Sequence, residues 1–125
     1  MKTILLAEDD PFIMDIYSSQ LRREGFKVDI AKDGESALEK IKNSYPDLLV
    51  LDINLPKMNG CEILKILKND PKTKNLKIIV LSNYDKSFIN EKYDCDISDF
   101  GVIKNFIKVE STPEEIANSI KEILK

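Results

Sequence analysis

Three short apolar runs, residues 4–7, 48–51 and 78–81, constrain this chain more than any other feature of it. Each run is nearly continuous rather than alternating, so the strand it forms must be covered on both faces, as in a parallel sheet held between two layers of helices. The segments between the runs carry the helical period instead. Phe12, Ile13, Ile16 and Leu21 follow Pro11, Ala37, Leu38 and Ile41 follow Asp33-Gly34, and Ile63, Leu64, Ile66 and Leu67 follow Gly60. A weaker strand is predicted at 26–31 and a last one at 103–108. Thr112-Pro113-Glu114-Glu115 reads as a capping box with proline at the first helical position, opening a final helix with Ile116, Ile120, Ile123 and Leu124 on one face. Strand and helix therefore alternate through five of each, the pattern of a doubly wound α/β sandwich. Residues 84–103 resist this reading, because Asp85, Asp94, Asp96 and Asp99 interrupt the apolar pattern, and a mobile or irregular helix is expected there.

At 125 residues the chain has the length of one domain, expected over 1–125, without room for a separate output module. Its formal net charge of -3 argues against bulk electrostatic binding to nucleic acid or an anionic membrane. No apolar stretch approaches the roughly 18 residues that a membrane span needs, and acids cut off the apolar N-terminal run too early for a secretory signal. A cytoplasmic protein is the expectation. Cys61 and Cys95 are too few for a disulfide framework or a metal knuckle and are expected as buried thiols. Lys65, Lys68, Lys72, Lys74 and Lys77 read as a solvated face, since no aromatic residues interleave with them as in a nucleic-acid site. Histidine is absent altogether, which removes Ser-His and Cys-His catalysis and imidazole metal ligands together. Any chemistry must run on carboxylates, hydroxyls and amines.

The acids are placed where such chemistry belongs. Glu8-Asp9-Asp10 follows the first predicted strand and Asp52 follows the third. In a five-stranded sheet of order 2-1-3-4-5, strands 1 and 3 are neighbours whose carboxyl ends flank the topological switch point, where ligands bind. Asp10, just before Pro11, is best read as a helix N-cap. Glu8, Asp9 and Asp52 have no such role, and carboxylates crowded together either take up protons or gather a cation, for which a hard ion such as Mg²⁺ suits an all-oxygen site. From spacing alone, a solvated acidic loop is an equally good reading.

Asp52-Ile53-Asn54-Leu55-Pro56-Lys57-Met58-Asn59-Gly60 resembles the phosphoacceptor loop of response-regulator receiver domains, Asp-x-x-Leu-Pro-x-Met-x-Gly, at every fixed position. The acidic Leu-Leu-Ala-Glu-Asp-Asp-Pro start, Asp33-Gly34, Pro46-Asp47, Ser82 and the Thr-Pro-Glu-Glu helix start extend the likeness along essentially the whole chain. The resemblance implies a flavodoxin-like fold, a five-stranded parallel sheet of order 2-1-3-4-5 with helices on both faces. It implies Asp52 as the phosphoacceptor and Mg²⁺ held by Glu8, Asp9, Asp52 and the backbone carbonyl of Asn54. Ser82 resembles the family's switch hydroxyl. Two residues compete for the phosphoryl-contacting lysine: Lys104 keeps the family's usual spacing from Ser82, whereas Lys108 keeps the spacing from Gly101 and stands just before the last helix. Lys108 is preferred, which implies a few inserted residues in the irregular 84–99 segment. The family usually has an aromatic residue three positions before this lysine; Asn105 stands there, with Phe106 next, so the pattern departs at the step that transmits activation.

The implied function is that of a signalling switch, taking a phosphoryl group from a histidine kinase or phosphotransfer protein and presenting a changed surface to a downstream protein. Catalysis would be confined to its own modification and its reversal. Two rivals stand beside it, a scaffold that is never phosphorylated and a hydrolase working through an aspartyl phosphate. The hydrolase is disfavoured because Asn54 occupies the place where haloacid-dehalogenase-like phosphatases carry a second Asp.

Overall fold

The computed structural model describes residues 1–125. Five strands, β1 (Thr3–Ala7), β2 (Lys27–Ala31), β3 (Leu48–Leu51), β4 (Lys77–Ser82) and β5 (Val102–Ile107), form one parallel sheet of order β2-β1-β3-β4-β5. Five α-helices connect and close them: α1 (Pro11–Arg23), α2 (Gly34–Ser44), α3 (Gly60–Lys68), α4 (Lys86–Tyr93) and α5 (Pro113–Ile123). The flavodoxin-like architecture expected from the sequence is the one observed.

The continuous apolar runs divide between two cores because alternate side chains of a strand point to opposite faces. Leu5, Leu49, Leu51, Ile78 and Val80 face α2, α3 and α4, packing with Ile41, Ile63, Leu64, Leu67 and Ile89. Ile4, Leu6, Leu48, Val50, Ile79 and Leu81 face α1 and α5, packing with Tyr17, Leu21, Ile116 and Ile120. Helices on both faces follow from the order of the sheet: β1 lies inside it, and the chain steps first to one side and then to the other by right-handed crossovers.

Caps define the helix starts. Asp10 accepts the Phe12 N–H at 2.9 Å, with Pro11 in the first turn. Asn59 and Glu62 exchange backbone bonds in a reciprocal capping box on α3. At α5, Thr112 accepts the Glu115 N–H at 3.1 Å, but the return bond from the Glu115 side chain is not made, so this start is a simple N-cap rather than the expected box.

The ambiguous 84–103 segment resolves into two pieces. α4 is short and ends where Asp94 adopts a left-handed conformation, φ 50°. A 3₁₀ turn, Ile97–Phe100, then inserts Ile97 into the core and is held by Lys68, whose Nζ donates to the Asp99 carbonyl at 2.9 Å. β5 begins with a bulge: Ile78 pairs with Val102 and Ile79 with Lys104, leaving Ile103 unpaired. A bulge adds one residue to a strand and so exchanges the faces of everything that follows. Here it turns Phe106 toward the α1/α5 core and sets Asn105 beside Val80, on the α4 side. β5 ends at Ile107, so Lys108, expected as the last residue of the strand, instead opens a second 3₁₀ turn, Lys108–Glu110.

Candidate functional site

The carboxyl ends of β1 and β3 bring the acids together. The Glu8 N–H donates to the Ala31 carbonyl and the Asp52 N–H to the Ala7 carbonyl, each at 3.0 Å, so both residues are fixed by the last rungs of the sheet. The nearest carboxylate oxygens of Glu8, Asp9 and Asp52 lie within 4.8 Å of one another. Asp9 is exposed, whereas Glu8 and Asp52 are 1% and 5% exposed.

The loop after β3 shapes the floor of the crevice. The Gly60 N–H returns to the Ile53 carbonyl at 2.8 Å and Met58 bonds Pro56 at 2.7 Å, folding residues 52–60 back on themselves. A Cβ on Gly60 would lie 2.7 Å from the Asp52 carbonyl oxygen and 2.8 Å from the Ile53 Cα, which only glycine avoids. Gly34 seals the loop from the other side: its N–H donates to the Pro56 carbonyl at 3.1 Å, and a Cβ there would meet the Met58 carbonyl oxygen at 1.8 Å. The Lys57 ammonium lies 3.7 Å from Asp33 across the same seam.

Lys108 reaches into this crevice from the end of β5. Its Nζ is 2.5 Å from Glu8 Oε1 and 3.1 Å from Asp52 Oδ2. The Lys108 ammonium thus occupies Glu8 Oε1, while Oε2 accepts the N–H groups of Asp9 and Asp10. Lys104 lies elsewhere, on the edge strand β5 opposite Ile79, exposed, with its Nζ 5.7 Å from the centre of the Phe106 ring. The other Asp52 oxygen, Oδ1, accepts the Asn54 N–H at 3.2 Å, and the Asn54 carbonyl is left free of protein hydrogen bonds.

The charges are strongly coupled. Burial pushes the Glu8 carboxyl up to about 7; contact with the Lys108 ammonium opposes this rise and the Asp52 charge adds to it. Burial alone would weaken the Lys108 ammonium, but Glu8 and Asp52 outweigh it and hold the lysine above its ordinary value. One lysine thus faces three carboxylates, and the site retains an excess of negative charge. With three clustered carboxylates, a free backbone carbonyl and only oxygen donors, the residues present fit a hard divalent ion such as Mg²⁺.

Ser82, fully buried at the end of β4, is turned toward its own loop, where its Oγ donates to the Tyr84 carbonyl and accepts the Tyr84 N–H, both at 3.1 Å. Asn105 joins the same carbonyl through Nδ2 at 3.3 Å. The sequence marks Asn105 as a departure from the family pattern but gives no sign of this partner, which lies across the bulged β4–β5 pair. The Gly34 seam is likewise unforeseen; the sequence marks Asp33-Gly34 only as a helix start.

The site is thus a cluster of acids and one lysine at the switch point of a flavodoxin-like parallel sheet. The chain belongs to the response-regulator receiver family: the family profile described as "Response regulator receiver domain" matches residues 4–116. Among curated proteins it is 38% identical over 87 residues to the alkaline phosphatase synthesis transcriptional regulatory protein PhoP of Bacillus subtilis, covering 70% of this chain and 35% of that protein. It is 42% identical over 73 residues to the transcriptional regulatory protein CpxR of Escherichia coli, covering 58% of this chain and 31% of that one. The chain therefore spans about a third of the length of these relatives. Among solved structures, a CheY-like receiver domain protein from Methanospirillum hungatei matches with a TM-score of 0.84 at 31% identity, covering 99% of this chain and 94% of that one. Response regulator TrrA of Thermotoga maritima, solved in complex with Mg²⁺-BeF, matches with a TM-score of 0.80 at 31% identity over 98% of each chain. No helix is long and apolar enough to cross a membrane.

Proposed function

We propose that this domain is a phosphoacceptor switch that takes a phosphoryl group onto Asp52 from a histidine kinase or phosphotransfer protein and answers by changing its surface for a protein partner. The observation that carries this reading is the convergence of Glu8, Asp9, Asp52 and Lys108, from three different strand ends, on one crevice.

A carboxylate is weakly basic and is already ionised at neutral pH, so Asp52 needs no general base, and a chain without histidine is under no handicap. Its oxygen attacks phosphorus in line with the donor nitrogen; the O–P bond forms as the P–N bond breaks, and the departing imidazole keeps the electron pair and gains a proton. Little covalent work falls to the rest of the site, so positioning and charge stabilisation dominate. Backbone bonds hold Asp52 at the crevice floor. The Lys108 ammonium, already bonded to Asp52, meets charge on a phosphoryl oxygen. Glu8, Asp9, Asp52 and the Asn54 carbonyl would hold Mg²⁺, which supplies charge neutralisation between the carboxylates and the incoming phosphoryl group. The Ser82 hydroxyl then leaves the Tyr84 carbonyl for a phosphoryl oxygen, converting the modification into movement of the β4–α4 loop.

Incubation with a small-molecule phosphodonor and Mg²⁺, followed by intact-mass measurement, tests this. Addition of one phosphoryl group, lost in Asp52→Asn, is expected. Continuous donor consumption without a modified protein would instead identify a hydrolase, and an unchanged protein a scaffold.

A further inference from the structure

Asn105 carries a buried Oδ1 with no hydrogen-bond partner, although its Nδ2 is engaged. Buried side-chain oxygens are nearly always paired, so this one calls for a physical reason. The orientation of the amide is set by chemistry: Nδ2 faces the Tyr84 carbonyl, and exchanging the two atoms would place oxygen against oxygen. Tyr84 is held by two side chains at once. Its carbonyl accepts from both Ser82 and Asn105, and its N–H donates to Ser82 alone.

We infer that Asn105 is a positioning residue that takes over the Tyr84 peptide groups when the Ser82 hydroxyl turns away, its Nδ2 keeping the carbonyl and its idle Oδ1 receiving the N–H. The inference rests on the phosphoacceptor reading of Asp52 and goes beyond it by naming the relay.

The Ser82 hydroxyl has one proton and can serve one acceptor strongly. Once the Ser82 side chain rotates to bond a phosphoryl oxygen, carrying its Oγ away from the loop, the Tyr84 carbonyl keeps only the Asn105 donor and the Tyr84 N–H loses its acceptor. An unmade bond at a partly buried peptide group is unfavourable. Asn105 offers the same donor and acceptor pair that the Ser82 hydroxyl gives the Tyr84 C=O and N–H, which an aromatic ring at this position would not. Accepting the N–H draws the loop toward β5. Tyr84 passes the movement outward, because its ring stacks on Phe88 of α4 at 4.6 Å and Lys92 covers both rings at 5.2 and 5.9 Å. Phe88 is 45% exposed, so the shift reaches the molecular surface. The bulge at Ile103 is what brings Asn105 to the α4 side of β5.

The test uses ¹⁵N-labelled full chain with Mg²⁺ and beryllium fluoride, beside intact mass after treatment with a small-molecule phosphodonor. In the unmutated protein, the Tyr84 amide and the Asn105 side-chain amide should shift together on loading. Asn105→Asp, of equal size but lacking the donor, and Asn105→Leu, lacking both groups, should still gain a phosphoryl group. The equilibrium between loop states should fall about five- to tenfold in Asn105→Leu, the effect of one net hydrogen bond, seen as a reduced Tyr84 and α4 response, and less in Asn105→Asp, which keeps an acceptor for the Tyr84 N–H. Thermal melting establishes that the variants fold; should both fail to, the paired shifts in the unmutated protein still decide. A Tyr84 and α4 response that persists in full in Asn105→Leu, or an Asn105 amide that does not respond in the unmutated protein, overturns the relay while leaving the phosphoacceptor reading intact. Failure of the unmutated protein to gain a phosphoryl group overturns both.

Discussion

Gly60 shows how much of this site depends on one missing side chain. The clash that any Cβ makes there is with backbone atoms of residues 52 and 53, which cannot swing aside as a flexible side chain could. Gly60→Ala is therefore expected to destabilise the fold by roughly 1–3 kcal/mol through overpacking and, by displacing the Asp52 peptide, to slow phosphoryl uptake. Urea titration and intact-mass time courses measure the two effects separately. Uptake unchanged in a destabilised variant would mean that the loop relaxes without moving the nucleophile. The two lysines make a second comparison at this scale. Lys108→Met should abolish the modification-dependent change in surface, whereas Lys104→Met should leave it largely intact, because only Lys108 has its ammonium in the crevice. Loss with Lys104→Met alone would reverse the assignment.

At the level of elements, β1 and β3 are tied at their beginnings as well as at the functional end. Asp47 Oδ2 accepts the Thr3 N–H at 2.7 Å and the Thr3 hydroxyl at 3.1 Å, and the Asp47 N–H returns to the Thr3 carbonyl at 2.9 Å. The bond from the Thr3 backbone holds the Asp47 carboxyl below its ordinary value of 3.8. A depressed folded-state value means that the stabilisation is present above 3.8 and is lost as the pH falls through the lower, folded value. Asp47→Asn keeps an acceptor but removes the charge, and should cost roughly 1 kcal/mol at neutral pH after allowance for exposure. Melting curves of the two proteins should converge as the pH drops below 3.8. A gap that is constant with pH would show that the amide's geometry, not the lost charge, is responsible. The 3₁₀ turn after α4 is the other element with consequences, since it seats Ile97 in the core and leads into β5, which is in register with β4 at Ser82 and Ile107.

Across the whole molecule, the crevice links folding, protons and cation binding. The folded chain holds a proton on Glu8 with a value of about 7, against 4.5 for an ordinary glutamate, so between these limits the metal-free folded state binds more protons than the unfolded one. Stability from this group therefore falls as the pH rises from 4.5 to about 7. A divalent ion competes for the same carboxylate, so Mg²⁺ binding is expected to release protons in this range and to raise the melting temperature more at pH 7.5 than at pH 5.5, values chosen on either side of the Glu8 titration. Calorimetry in buffers of different ionisation enthalpy would detect the release. Binding that is independent of pH and buffer would mean that Glu8 does not take part.

The division between what was legible in the chain and what was not follows from the range of the forces involved. Periodicity and capping are local, and they are enough to give five strands, five helices and an acid at the end of each of β1 and β3. The nine residues from Asp52 to Gly60 likewise carry their own geometry, because the glycine and the returning bond to Ile53 lie within the segment. Non-local pairing is different. A bulge opposite Ile78 and Ile79 leaves no mark in the composition of β5, yet it decides which side of the sheet Asn105 and Phe106 face. Likewise, only the assembled sheet carries Lys108 to Glu8 and Asp52 and sets the Asn105 amide against Tyr84, because those contacts join residues that the sequence keeps far apart.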